Sequence, residues 1–281
     1  MKAPQSFGRQ AAALLATLLV VLLPPSAWAV GPTSTLYVTN YGELGGGTIT
    51  GLDLIQGVTE SSYPTSYLLG IDIAVYGDVR TMGYSDTNQG ERFDLAANPL
   101  VGGPYTNNIA NSQLHDGTSD GSYNYSVNYT TGDLIRFDRN WASPVALFNV
   151  TADIPGGGWI TMNASDGTFW VSQWGGPDLV VHLSSTGSLL SSFNSGVFGS
   201  AGLALDPVDG TLWMGDSTMT LHQFSQGGVP LQSVGYAVAG SWYGMEFDTT
   251  PVPEPGAIVL AAVGALVGLA RLRNGRAIRR C

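Results

Sequence analysis

Gly202-Leu203-Ala204-Leu205-Asp206-Pro207-Val208-Asp209-Gly210-Thr211-Leu212-Trp213-Met214-Gly215-Asp216 reads as two short strands around one tight turn. Leu203 and Leu205 alternate with smaller or polar neighbours, as on a strand with one apolar face. Asp209-Gly210 supplies the positive φ that a tight hairpin needs. Trp213 falls in the second strand, where large aromatics pack between sheets. Each piece of this stretch occurs twice. Asp166-Gly167-Thr168-Phe169-Trp170-Val171 precedes its counterpart Asp209–Met214 by forty-three residues, and Gly202–Asp206 returns as Gly244-Met245-Glu246-Phe247-Asp248 after forty-two. Upstream, Arg92-Phe93-Asp94 returns as Arg136-Phe137-Asp138 after forty-four.

The repeating unit is strand, tight turn, strand, strand and a loosely patterned fourth strand. Third strands end at Phe137, Leu183 and Phe224, and Phe148 and Phe193 mark fourth strands. Helical periodicity is absent throughout residues 30–250. A period of about 40–50 residues with four strands is the sequence sign of a β-propeller. Thr35–Asn40 matches the second strand of the later units, Thr211–Asp216, while the body ends on a first strand, Gly244–Asp248. Pairing these two completes one unit from both ends and removes open sheet edges. Units then begin near Gly70, Ile109, Gly158 and Gly202. The expected fold class is all-β: a propeller of five four-stranded blades, or six if the region around residues 60–110 divides differently. The stretch Leu203–Phe224 resembles NHL-like and SMP-30-like propellers in its repeat pattern, not in a site.

Composition separates this body from its two ends. The 281-residue chain carries a formal net charge of -10 and only 11% charged residues, against about 25% in an average soluble domain. Residues 30–250 hold four cations, Arg80, Arg92, Arg136 and Arg139, and twenty acidic residues, a net charge of −16 with no lysine. Such a body cannot neutralise a row of phosphates, which excludes nucleic acid as a partner. One cysteine in the chain rules out a disulfide framework.

Residues 1–29 have the three parts of a secretory signal. Lys2 and Arg9 make a positive start, Ala11–Leu23 an apolar core, and Ala27-Trp28-Ala29 a small-x-small cleavage pattern. Cleavage after Ala29 is expected, so that the mature protein begins at Val30 outside the cytoplasmic membrane. At the other end, Pro253-Glu254-Pro255 leads into the apolar run 256–270, followed by Arg271, Arg273, Arg276, Arg279 and Arg280. The prolines interrupt regular structure, the apolar run is expected to span the membrane as a short helix, and the arginines mark the cytoplasmic flank. Residues 251–281, with these three parts in order, resemble the PEP-CTERM sorting signal of exopolysaccharide-making bacteria. That resemblance implies recognition by an exosortase and removal of the tail near the motif. It also implies a cell-surface or extracellular-matrix destination after a membrane-anchored precursor. The expected organisation is therefore a signal peptide (1–29), a propeller (30–250) and a sorting tail (251–281).

Within the body the chemistry-bearing residues are sparse. Calcium is the metal an acidic propeller would take, with Asp206, Asp209 and Asp216 near one unit's turns and Asp116 and Asp120 beside His115 in another. No known calcium-loop pattern accompanies them, and Asp also caps turns through its own backbone, so no metal ligand is assigned. Of the histidines His115, His182 and His222, the last two lie in third strands and lack Glu or Cys at ligand spacing, and no nucleophile elbow, zinc-protease or phosphate-loop motif is present. No catalytic residue is assigned. Trp141, Trp159, Trp174 and Trp242, with Tyr123, Tyr125 and Tyr129, fall in or beside turns, where exposed rings would suit sugars. The expectation is a non-enzymatic binding or structural propeller associated with exopolysaccharide. The competing class is a metal-dependent hydrolase or lyase of lactonase type.

Overall fold

A computed structural model describes residues 35–41, 47–53, 58–64, 70–83, 89–96, 98–101, 105–106, 113–173, 178–236 and 241–250. No α-helix occurs among them. Strands β1 (Thr35–Tyr41), β2 (Gly47–Asp53) and β3 (Val58–Pro64) run antiparallel, and β4 (Gly70–Val75), β5 (Val79–Gly83), β6 (Gln89–Phe93) and β7 (Tyr105–Thr106) form the next sheet. A third sheet holds β8 (Thr118–Ser119), β9 (Tyr123–Val127), β10 (Asp133–Asp138) and β11 (Val145–Asn149). The fourth holds β12 (Gly157–Asn163), β13 (Thr168–Gln173), β14 (Leu179–Leu183) and β15 (Leu189–Asn194). In the fifth are β16 (Ser200–Leu205), β17 (Leu212–Asp216), β18 (Thr220–Phe224) and β19 (Pro230–Gly235). The last strand, β20 (Ser241–Phe247), joins the first sheet through β1, with Leu36 opposite Phe247 and Val38 opposite Met245.

All sheets are four-stranded, and the arrangement is β-propeller-like. The first strands of successive sheets lie side by side: β4 by β8, β8 by β12, β12 by β16, β16 by β20 and β20 by β4. Apolar residues fill each gap between neighbouring sheets. Tyr37 meets Ile73, Val79 and Phe93 in one such gap, and Met82 and Tyr105 meet Phe137 and Trp141 in the next. Trp170 and Trp213 occupy second strands β13 and β17, and both are buried. That position fits the repeat: the aromatic faces the neighbouring sheet, where burying a large ring stabilises by a few kcal/mol. The Asp-Gly turns also behave as the sequence implies, with Gly167 at φ 74° and Gly210 at φ 71°.

Two expectations need correction. The third sheet's first strand is Thr118–Ser119, beyond the start expected near Ile109, a residue outside those described. The first strands also have no apolar and polar face in the ordinary sense. Every residue of β16 is buried, because side chains fill the axis that these strands surround.

Candidate functional site

The inner edge of each first strand faces the axis, and buried N–H groups there need acceptors. Asp116, just before β8, provides them. Its Oδ2 accepts from the N–H of Ile160 (3.2 Å) and of Leu203 (3.1 Å), and its Oδ1 from Met245 (3.0 Å) and Gly117 (3.0 Å). One fully buried carboxylate thus ties β12, β16 and β20 to the strand it precedes. The repeated glycine explains the aim. Gly202 and Gly244 hold φ at +147° and +150°, which glycine adopts without strain. Each directly precedes a donating residue, Leu203 or Met245. A Cβ on Gly202 would sit 2.7 Å from Met245 Cγ, so the position excludes a side chain as well.

A second polar layer lies beside the first. The Thr161 hydroxyl is 3.2 and 3.0 Å from the two carboxyl oxygens of Glu246 and accepts from the N–H of Leu205 (3.0 Å). Glu246 Oε1 also accepts from the N–H of Phe247 (3.0 Å). Burial pushes the Glu246 carboxyl well above the ordinary range, and the hydroxyls of Thr118 and Thr161 only partly offset that. In a third layer the Thr249 hydroxyl spans the carbonyls of Val75 (2.8 Å) and Ser119 (2.9 Å). Three layers of side chains therefore occupy the axis.

His115 covers the Asp116 end. Its ring centroid lies 4.6 Å from that of Tyr129, 5.7 Å from Trp159 and 6.1 Å from Tyr243. Burial among these rings pushes its pKa down to about 4. A general base at neutral pH is best matched by a pKa near 7, and this imidazole lies well below that.

The other candidate residues are dispersed. Asp206 Oδ1 caps the Val208 N–H, Asp209 Oδ1 takes the N–H and hydroxyl of Thr211, and Asp120 Oδ1 takes the N–H groups of Ser122 and Tyr123. Asp216 Oδ1 accepts from Thr218 and Thr220, and its Oδ2 meets His222 Nε2 at 2.9 Å. The Oδ1 contacts are turn-capping bonds. Among the described residues no group of three or more His, Cys, Asp or Glu side chains is placed to hold a metal ion. His222 Nδ1 meets Ser233 Oγ at 2.9 Å. The residue types are those of a nucleophilic triad, but His222 and Ser233 are direct cross-strand partners on β18 and β19, and Ser233 faces solvent. The trio bridges two strands and a turn. His182 lies flat on Trp170, with centroids 3.9 Å apart and planes within 2°.

The aromatic reading is corrected for most of its members. Trp141, Trp159 and Trp242 are at most 2% exposed and Tyr125 is 7% exposed, since they fill the gaps between sheets and the cap over the axis. Tyr123 is exposed, but Arg136 lies over its ring at 4.3 Å. Tyr129 is half-buried against His115. Trp174 lies outside the described residues. So do Ala27 and Ala29, Pro253, Glu254 and Pro255, the apolar run 256–270, and Arg271, Arg273, Arg276, Arg279 and Arg280. Among the described residues no helix is long and apolar enough to cross a membrane.

Sequence reasoning named Asp116 only as a candidate calcium ligand and passed over the other axial residues. Glu246 had a visible signal: the repeat places a glutamate where the preceding unit has Ala204. Thr161 and Thr249 had none, because a threonine in a strand is unremarkable. It also passed over Asp78, where three of the body's arginines converge.

No protein-family model and no curated protein matches the chain. Solved structures do. A chain from the crystal structure of a nidogen/laminin complex is 12% identical, with a TM-score of 0.52, over 78% of this chain and 100% of that one. A structural-genomics protein of unknown function from Bacteroides thetaiotaomicron is 13% identical, with a TM-score of 0.50, over 78% of this chain and 63% of that one. At these identities the likeness concerns the fold alone, and it supports the propeller-like architecture described above.

Proposed function

We propose that this is an exported, exosortase-processed protein of the cell surface or extracellular matrix whose body is a non-enzymatic, five-bladed propeller. Five four-stranded sheets, adjacent first strands all the way round and the β1–β20 pairing support the blade count. The observation that carries the non-enzymatic reading is the filled axis. A propeller hydrolase needs carboxylates there with oxygens to spare for a metal or a substrate. Here Asp116 gives both oxygens to backbone N–H groups, and the buried Glu246 carboxyl is engaged by the Thr161 hydroxyl and the Phe247 N–H. The axial carboxylates serve the fold, which leaves the outer surface for binding, with exopolysaccharide as the partner that the sorting tail implies. The test is the full-length chain with calcium against a lactone panel. Turnover indistinguishable from buffer is expected, and metal-dependent turnover abolished by Asp116→Asn or Glu246→Gln would establish the lactonase-type alternative instead.

A further inference from the structure

The body has four arginines, and three of them grip one carboxylate. Asp78 lies in the bend between β4 and β5. Its Oδ1 accepts from Arg80 Nε (3.0 Å) and Arg139 Nη2 (2.7 Å), and its Oδ2 from Arg80 Nη2 (3.0 Å) and Arg92 Nε (2.5 Å). Arg80 and Arg92 are direct cross-strand partners on β5 and β6, an unfavourable juxtaposition of like charges unless an anion bridges them. Arg139 reaches across from the neighbouring sheet and is fixed by Ser119 Oγ (2.6 Å) and Asn124 Oδ1 (2.5 Å). Arg80 Nη1 in turn donates to the Arg139 carbonyl (2.9 Å) and Asn140 Oδ1 (2.8 Å).

Three guanidiniums and one carboxylate leave two positive charges at one point of a body whose net charge is −16. Arg80 and Arg139 side chains are 12% and 15% exposed and share the one Asp78 charge with Arg92, and cations compensated only in part are costly in such a setting. Burial would push the Asp78 carboxyl up, yet the arginines hold it below its ordinary value, so the acid is fully committed to them. Arg92 differs from the other two. Its side chain is 36% exposed, and among the described residues its two terminal nitrogens donate to no acceptor. That leaves a guanidinium fork open to solvent, the geometry that recognises carboxylate or sulfate through two parallel hydrogen bonds.

We propose that Arg80, Arg92 and Arg139, held by Asp78, form an oxyanion subsite that takes the carboxylate or sulfate group of an acidic polysaccharide. The polymer rests on the matrix reading above, whereas the oxyanion rests only on the cluster. Asp78 sets the spacing of the guanidiniums, Arg139 and Arg80 supply the field, and the Arg92 fork makes the contact.

Calorimetry on the full-length chain in mild detergent at low salt separates the two parts. The probes are an oligouronate, a sulfated oligosaccharide, a neutral oligosaccharide of equal length and inorganic sulfate. Binding of a charged oligosaccharide is expected, with none by the neutral one. Arg92→Gln should weaken it about tenfold or more, as expected for loss of a charge-assisted pair, and Arg92→Lys should restore only part. Thermal melts of both variants check that the fold is intact. Sulfate binding that depends on Arg92 with no oligosaccharide binding upholds the subsite and overturns the polysaccharide as its source. Oligosaccharide binding that Arg92→Gln leaves unchanged in a folded variant overturns the subsite and leaves the matrix reading standing. Silence from every probe overturns both parts of the proposal.

Discussion

Asp116→Ala should lower the unfolding free energy by at least about 4 kcal/mol, enough to leave a marginal domain largely unfolded. The carboxylate accepts N–H groups from Ile160, Leu203 and Met245, on three different sheets, as well as from Gly117. Alanine leaves those donors buried and without an acceptor, at roughly 1–3 kcal/mol each before any relaxation. Asp116→Asn keeps one acceptor oxygen but turns an NH₂ group toward N–H donors, so its cost should fall between that of wild type and alanine. Guanidinium unfolding of both variants measures this. An alanine variant within about 1 kcal/mol of wild type would mean that the three sheets are not joined through this carboxylate.

Glu246 carries the second large effect, and it depends on pH. Glu246→Ala removes the acceptor for the Phe247 N–H and the partner of the Thr161 hydroxyl and opens a void at the axis. The expected cost is about 3 kcal/mol. In wild type the folded-state pKa is raised, so between the unfolded-state value and the folded one the unfolded chain binds fewer protons. Stability from this group is therefore fully present below about pH 4.5 and is lost as pH rises through the folded pKa. Glu246→Gln keeps an acceptor for Phe247 and a donor toward Thr161 and has no proton to lose. It should match wild type near pH 4.5 and exceed it at pH 8. Equal pH slopes for wild type and the Gln variant would show that Glu246 is ionised in the fold.

The propeller-like body was legible because its repeats carry their own punctuation. Asp209-Gly210 and Asp166-Gly167 mark the hairpins, Trp170 and Trp213 mark the second strands, and the match of Thr35–Asn40 to Thr211–Asp216 anticipates the pairing of β1 with β20. The third sheet was placed less well because its first strand is only Thr118–Ser119, too short for an alternation pattern to show. Apart from the glutamate that replaces Ala204 in the last repeat, the axis was not legible. Asp116 looked like a candidate calcium ligand beside a histidine, and only the fold brings Ile160, Leu203 and Met245 to its oxygens. The aromatics failed for a related reason. A tryptophan beside a turn can face solvent or a neighbouring sheet, and Trp141 and Trp242 take the second course because each gap between sheets needs a large side chain. The Arg80–Arg92 pair lies on adjacent strands whose register the sequence does not specify, and Arg139 comes from another sheet.

The sorting account is tested most directly by the intact mass of the protein recovered from an exosortase-carrying host. Wild type should begin at Val30 and lack the terminal arginines Arg271–Arg280, whereas a variant with Pro253, Glu254 and Pro255 all replaced by alanine should keep them. The same mature mass for both chains, or a wild-type chain that retains its tail, would contradict the account.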